Sequence, residues 1–175
     1  MKNLIILLSF CFICCSCNNA PAPIEKTTSG SDFMKQEKPK VDLTVIDPNA
    51  SLSVVTLQGL GNTMAEMKYD KDTIKVPANC TVSLTLINTA TDDAMQHNFL
   101  LVTSGSIKDV ADEGLKAGPE KDYVPVLDEV LTASKLIKPG EKTTIKFAAP
   151  VKGVYEFMCS YPGHYTKMKG VFVVE

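Results

Sequence analysis

The heptapeptide T-V-S-L-T-L-I, residues 81–87, decides the fold class. Val82, Leu84 and Leu86 fall on one side of an extended chain, and Thr81, Ser83 and Thr85 fall on the other. That two-residue period belongs to a half-buried strand. Outward from it the chain repeats the theme, with β-branched and aromatic runs separated by turn residues. S-L-S-V-V-T-L (51–57) precedes Gly59 and Gly61, and M-A-E-M-K-Y-D (64–70) and T-I-K-V-P (73–77) follow. N-F-L-L-V-T (98–103), T-T-I-K-F (143–147), Y-E-F-M-C (155–159) and G-V-F-V-V-E (170–175) complete the set. One segment is different. S-I-K-D-V-A-D-E-G-L-K-A-G (106–118) spaces Ile107, Val110, Ala111 and Leu115 as one helical face, with Gly118 as a stop. Seven to eight strands and one short helix in a connection predict an all-β, Greek-key β-sandwich.

Composition sets the bounds. The chain has 175 residues, 45% hydrophobic and 22% charged, with a formal net charge of −2, which suits one soluble domain with appendages. A nucleic-acid partner needs a basic face, whereas these lysines are scattered among acidic residues. The N-terminus reads as an export signal: Lys2, an apolar run from Leu4 to Ile13, then small residues and cysteines. The run is shorter than the ~20 residues that span a bilayer. Cys17, preceded by Ser16 and followed by Asn18 and Asn19, resembles the lipid-modified cysteine of a bacterial lipoprotein, with Cys15 as the alternative because Cys14 stands where such motifs carry Leu. Residues 1–17 are thus expected to be a lipoprotein-type signal ending at Cys17, and residues 18–49, rich in Pro, Ser, Thr and Lys, a flexible tether. Within the tether, Val41 to Pro48 reads equally well as a first short strand or as ordered linker. Residues 50–175 form the folded domain.

Four of the six cysteines lie in the leader or at its edge, which leaves Cys80 and Cys159. In an exported domain the plain reading of such a pair is one disulfide. A second reading arises from C-S-Y-P-G-H-Y-T-K-M, residues 159–168. Tyr155, Phe157 and Cys159 share a strand face, so the thiol sits at a strand end, where Pro162 and Gly163 turn the chain. The spacing C-x4-H-x3-M returns His164 and Met168 towards the same point. The only other histidine, His97, opens the run N-F-L-L-V near mid-chain. Structural zinc sites use Cys and His without thioether. Two imidazoles, a thiolate and a weak axial Met are the blue-copper electron-transfer set. Taken singly, each residue has an ordinary explanation: a satisfied turn histidine, a small buried hydrophobe, a core methionine.

Four segments, H-N-F-L-L-V (97–102), G-L-K-A-G-P-E-K-D-Y (114–123), A-S-K-L-I-K-P-G-E-K (133–142) and C-S-Y-P-G-H-Y-T-K-M-K-G (159–170), resemble the azurin branch of the cupredoxins, and the similarity runs from about Ser51 to Glu175. The resemblance implies a cupredoxin-like sandwich binding one copper ion, with His97, Cys159 and His164 as equatorial ligands and Met168 as the axial one. It implies that the Gln96 carbonyl faces the metal, that Asn98 braces the ligand loop, and that the amides of Asn98 and Tyr161 point at the Cys159 sulfur. His164 is expected at the surface, in an apolar patch with Met95 and Pro162 that offers partners a short route to copper. Three departures stand out: Gln96 where azurins have glycine, Phe99 where many have tryptophan, and Ser53 opposite Cys80, which leaves half of the family's disulfide and so a free thiol.

The resulting expectation is a membrane-tethered, exported, periplasmic electron carrier with a monomeric domain and no enzymatic activity. It would cycle one electron between redox proteins such as c-type cytochromes or a terminal reductase or peroxidase. The alternatives are a copper delivery or storage module, an enzyme using Cys159 as nucleophile with a histidine base, and a metal-free adhesion domain. Delivery modules expose flexible arrays of Met and His, whereas the seven Met here are dispersed. A nucleophilic enzyme needs an orienting third group and a cleft, for which the sequence offers no candidate.

Overall fold

The computed structural model describes residues 42–175. The expected lipoprotein-type signal with Cys15 and Cys17, and the expected tether up to residue 41, lie outside the described residues. Among the described residues, nine strands form two sheets. The first contains β1 (Leu52–Leu60), β2 (Lys68–Tyr69), β4 (Thr81–Asn88) and β7 (Lys142–Ala148), in the order β2-β1-β4-β7. The second contains β3 (Thr73–Val76), β5 (Leu100–Val102), β6 (Val130–Ala133), β8 (Gly153–Met158) and β9 (Lys169–Val174), in the order β3-β9-β8-β5-β6. β1 runs parallel to β4 and β3 parallel to β9, and the remaining pairs are antiparallel. The chain therefore crosses between the sheets repeatedly, as a Greek-key sandwich does.

The alternation in residues 81–87 is realised in β4, where Val82, Leu84 and Leu86 are fully buried while Ser83, Thr85 and Ile87 are half-buried on the outer face. Between the sheets lie Leu57, Ile74, Phe99, Phe147, Phe157 and Phe172. Removing each such side chain from water contributes about 1.5–3 kcal/mol. Leu43 is buried in the same core, and its carbonyl accepts the Ala148 N–H at 2.8 Å. Residues 42–50 form turns and no strand.

The strands differ from the expected seven to eight at two places, one shortened and one added. Residues 64–70 contribute only the two-residue β2, because Thr63 to Met67 close a turn through Glu66 and Met67 amides on the Thr63 carbonyl. β6 is a strand that the sequence pattern did not announce. The helix α1 (Ile107–Ala117) stands as expected, but its inward face is Ile107, Val110, Ala111 and Gly114, and Leu115 is 61% exposed. The face turns by one residue because Gly114, lacking a Cβ, admits another backbone where a leucine would not fit. α1 forms a second small core on the outer side of the β8 sheet, with Leu100, Val102 and Met158. Among the described residues, no helix is long and apolar enough to cross a membrane.

Candidate metal centre

Register brings the chemistry to one end of the sandwich. Leu100 pairs with Met158, so the residues just before β5 and just after β8, His97 to Phe99 and Cys159 to Tyr161, are neighbours. His97 is fixed outside any strand by a two-bond bridge to Ile137: its N–H reaches the Ile137 carbonyl at 3.0 Å and its carbonyl takes the Ile137 N–H at 2.9 Å. The segment before it is held by Asn88, which donates to the Met95 carbonyl at 2.7 Å. The ligand loop folds back through a left-handed Gly163 (φ 82°) into a 3₁₀ turn at His164–Thr166. The Cys159 N–H then closes the loop on the Met168 carbonyl at 2.9 Å.

The outcome is a buried triangle. His97 Nδ1 lies 3.2 Å from His164 Nδ1, and Cys159 Sγ lies 3.8 Å from His164 Nδ1. All three donor atoms fall within 4.8 Å of one another, and the three residues and Met168 are fully buried. Metal–nitrogen bonds of about 2.0 Å and a metal–sulfur bond of about 2.3 Å in a trigonal plane need edges of about 3.5 and 3.7 Å. The observed triangle is close to that size. Both Nε2 atoms are buried without a hydrogen-bond partner. With their protons on Nε2, the two rings would present facing Nδ1 lone pairs, an arrangement that a cation relieves.

Electrostatics favour ligands over acids or bases. Burial lowers the His97 pKa to about 4, assisted by the neighbouring His164 charge and opposed by a hydrogen bond with the Gln96 backbone. Burial lowers His164 to about 4 as well. Both imidazoles are therefore neutral and ready to coordinate at pH 7. The Cys159 thiol is pushed up to about 12 by burial, against hydrogen bonds from the backbone N–H groups of Asn98 and Tyr161. Without a cation it stays a thiol, so it is not poised as a nucleophile. A thiolate there belongs with a metal.

Asn98 stands at the centre of the surrounding network. Its Nδ2 donates to the Asp122 carbonyl at 2.7 Å and to Ser160 Oγ at 2.9 Å, and its Oδ1 accepts the Ser160 N–H at 2.9 Å. The Tyr69 hydroxyl donates to the Asn98 carbonyl at 2.6 Å. Asn88, Tyr69, Ser160 and Asp122 escaped the sequence reading, because backbone carbonyl acceptors carry no residue signature. Gly59 escaped it too: a Cβ there would lie 2.6 Å from His97 Cδ2, so the ring packs directly on β1.

One expectation about placement changes. His164 was expected at the surface, yet its side chain is fully buried, as is Met95, while Pro162 is half-buried. The turn after β1 packs against the ligand loop. The Met64 methyl stands 2.9 Å from where a Cβ on Gly163 would be, and Lys167 donates from its ammonium group to the Ala65 carbonyl. Met64 itself is 47% exposed. Cys80 is a free, buried thiol beside the start of β4, at the end of the sandwich opposite the triangle.

Residues 56–175 match the model of copper binding proteins of the plastocyanin/azurin family. The chain belongs to this family. Azurin iso-2 of Methylomonas sp. (strain J) is 36% identical over 116 residues, covering 62% of this chain and 90% of that protein. Auracyanin-A of Chloroflexus aurantiacus is 34% identical over 123 residues, covering 69% of this chain and 74% of that protein. The crystal structure of dithionite-reduced auracyanin from the photosynthetic bacterium Roseiflexus castenholzii superposes with a TM-score of 0.63 at 36% identity, covering 71% of this chain and 98% of that one. The cupredoxin sandwich expected from the sequence is thus the fold, and the protein is a blue copper protein whose ligands are His97, Cys159, His164 and Met168. Cupredoxins of the azurin family are electron carriers, not enzymes.

Proposed function

We propose that this protein carries single electrons between redox proteins outside the cytoplasm. The observation that carries the reading is the closed, buried triangle of His97, Cys159 and His164. Bound copper supplies a one-electron Cu(I)/Cu(II) couple. The chain supplies everything that keeps the couple fast. Ligands fixed by the Ile137 bridge and the Asn98 network have little room to move when charge changes, so reorganisation is small. The Asn98 and Tyr161 amides stabilise negative charge on the sulfur. Full burial of His97, Cys159, His164 and Met168 keeps water away from the site. The Gln96 backbone hydrogen-bonds the His97 ring, so its carbonyl would lie close to bound copper, as the family resemblance implies.

The related auracyanin was crystallised in a reduced form, which is consistent with a redox role here. Acceptable partners are proteins with an exposed one-electron centre, such as c-type cytochromes or a terminal reductase or peroxidase. They would meet a monomeric domain held to a membrane in the periplasm by a lipidated Cys17. Copper delivery or storage is less well supported, because these ligands are buried and braced and are not presented on a flexible surface. The test is the visible and EPR spectrum of the purified protein after adding Cu(II) and an oxidant, followed by mixing with a reduced c-type cytochrome. An intense blue band with narrow copper hyperfine splitting, bleached as the cytochrome is oxidised, supports the reading. A pale, broad-hyperfine spectrum, or a blue protein inert towards every cytochrome and reductase offered, refutes electron transfer and favours copper carriage.

A further inference from the structure

The copper loop is gripped from outside the sandwich as well as from within. Gly114 of α1 faces two things: a Cβ on it would stand 2.6 Å from the Tyr123 carbonyl oxygen and 3.5 Å from Ser160 Cβ. Ser160 is the residue after the copper-binding Cys159. The other end of the ligand loop is also held, because Tyr165 packs into the small core beneath α1 with Val110 and Met158. The helix thus bears on the loop at Ser160 and at Tyr165, on either side of His164.

The turn after α1 is strained in a telling place. Asp122 and Tyr123 are consecutive non-glycine residues at positive φ, 54° and 57°. Such a pair persists only when its surroundings over-determine it. Here the Asp122 N–H reaches the Pro119 carbonyl at 3.0 Å, the Tyr123 N–H reaches the Gly118 carbonyl at 3.0 Å, and the Tyr123 ring meets Tyr161 edge-on at 5.4 Å. This conformation aims the Asp122 carbonyl at Asn98 Nδ2, whose side chain also holds the Ser160 N–H.

We propose that α1 and the Asp122–Tyr123 turn position the copper thiolate, with Gly114 and Asp122 as positioning residues that act through Asn98 and Ser160. The reading rests on the copper centre assigned above. Its mechanism is steric and directional. Gly114 lets the helix close onto the Tyr123 carbonyl, the close approach fixes the turn, and the turn fixes the Asn98 side chain. Asn98 then fixes the residue next to Cys159. Neither Gly114 nor Asp122 touches the metal.

The test compares four substitutions in the purified protein. Gly114→Ala drives a methyl into a backbone oxygen. Asp122→Val leaves α1 untouched but disfavours the left-handed turn, since a β-branched residue avoids that conformation. Asp122→Asn tolerates it and keeps the carbonyl. Val82→Ala creates a core cavity at the far end, as a control for general destabilisation. In copper-free protein, exchange of the Ser160 amide proton should quicken at least tenfold in Gly114→Ala and Asp122→Val beyond Val82→Ala, with all rates corrected to equal global stability. Asp122→Asn should match the wild type. Loaded with copper, the first two should shift the visible band and the hyperfine splitting, and the other two should not. If Gly114→Ala fails to fold, Asp122→Val alone decides. Ser160 protection that merely tracks Val82→Ala, or an unmoved spectrum in both positioning variants, overturns the proposal. A wild-type protein that never turns blue refutes the copper assignment instead, while the exchange measurement still reports on the linkage.

Discussion

Replacing Asn98 with alanine removes three hydrogen bonds at once: two from Nδ2, to the Asp122 carbonyl at 2.7 Å and Ser160 Oγ at 2.9 Å, and one to Oδ1 from the Ser160 N–H at 2.9 Å. Their partners fare differently. The Asp122 carbonyl belongs to a half-buried residue and recovers much of its bond from water. Ser160 is 2% exposed, so its N–H is stranded, while its hydroxyl can rotate in search of another acceptor. A stranded buried donor costs about 1–3 kcal/mol, and the two side-chain bonds about 0.5–1.5 kcal/mol each. The sum, about 3 kcal/mol, corresponds to a drop in melting temperature of roughly 10 °C for a domain of this size. The assay is urea and thermal unfolding of the copper-free protein, followed by the same measurements with copper bound. Because the substitution also slackens the residue next to Cys159, the copper-loaded variant should show a broadened site as well as a lowered midpoint. A loss below about 1 kcal/mol would mean that the three short contacts are not made in solution, and the account of how the ligand loop is held would fall with them.

Four further outcomes are expected. Cys159→Ser should abolish the blue colour, since no thiolate-to-copper charge transfer remains, and a persisting full band in the visible spectrum contradicts the assignment. Met168→Leu should keep the colour and raise the reduction potential, because a weak donor to Cu(II) is lost; voltammetry showing a clear fall would exclude Met168 as the axial ligand. Gly59→Ala should weaken copper binding by displacing the His97 ring, whose Cδ2 lies 2.6 Å from the new methyl position, and an unchanged affinity in copper titrations would contradict that contact. Copper-free protein should lose stability as pH falls. The two histidines have folded pKa values of about 4 against an ordinary 6.5, so the unfolded chain binds more protons between those limits. The loss begins near pH 6.5, is complete near pH 4, and is on the order of 3 kcal/mol per ring before their mutual coupling is counted. A urea midpoint that is flat from pH 7 to 5 would show that the rings are not buried as described.

The parts of the fold legible in the sequence are those with one wet face. β4 alternates because its outer side meets solvent, and Ser83 and Thr85 mark that side plainly. β6 gave no such signal, because Val130 to Ala133 are all half-buried and so neither alternate nor form a continuous apolar run. Residues 64–70 misled because their apolar positions serve a turn, with Met64 over the ligand loop and Met67 in the core. The ligands were legible because histidine is so scarce in this chain and the loop spacing is so tight. What holds and covers them was not. The Asp122 carbonyl, the Lys167 contact with Ala65, and the Met64 methyl against Gly163 all depend on segments distant in sequence, and the first two on backbone atoms common to every residue. Leu115 illustrates the same limit, since only the close approach to Gly114 reveals which way α1 faces.

The placement of the two thiols has a consequence for how the protein matures. An oxidising environment tends to trap free cysteines, by pairing them or by carrying them up the ladder towards sulfinic acid. Cys80 and Cys159 sit at opposite ends of the sandwich, too far apart for the folded chain to join them, and burial raises the pKa of both. Once folded, each is therefore a protonated, shielded thiol with little appetite for peroxide. In such an environment the vulnerable interval would be the one before folding, when either cysteine could be captured. In an exported chain, closing the sandwich first would shield Cys159 until copper displaced its proton, so the fold would serve as the thiol's protecting group.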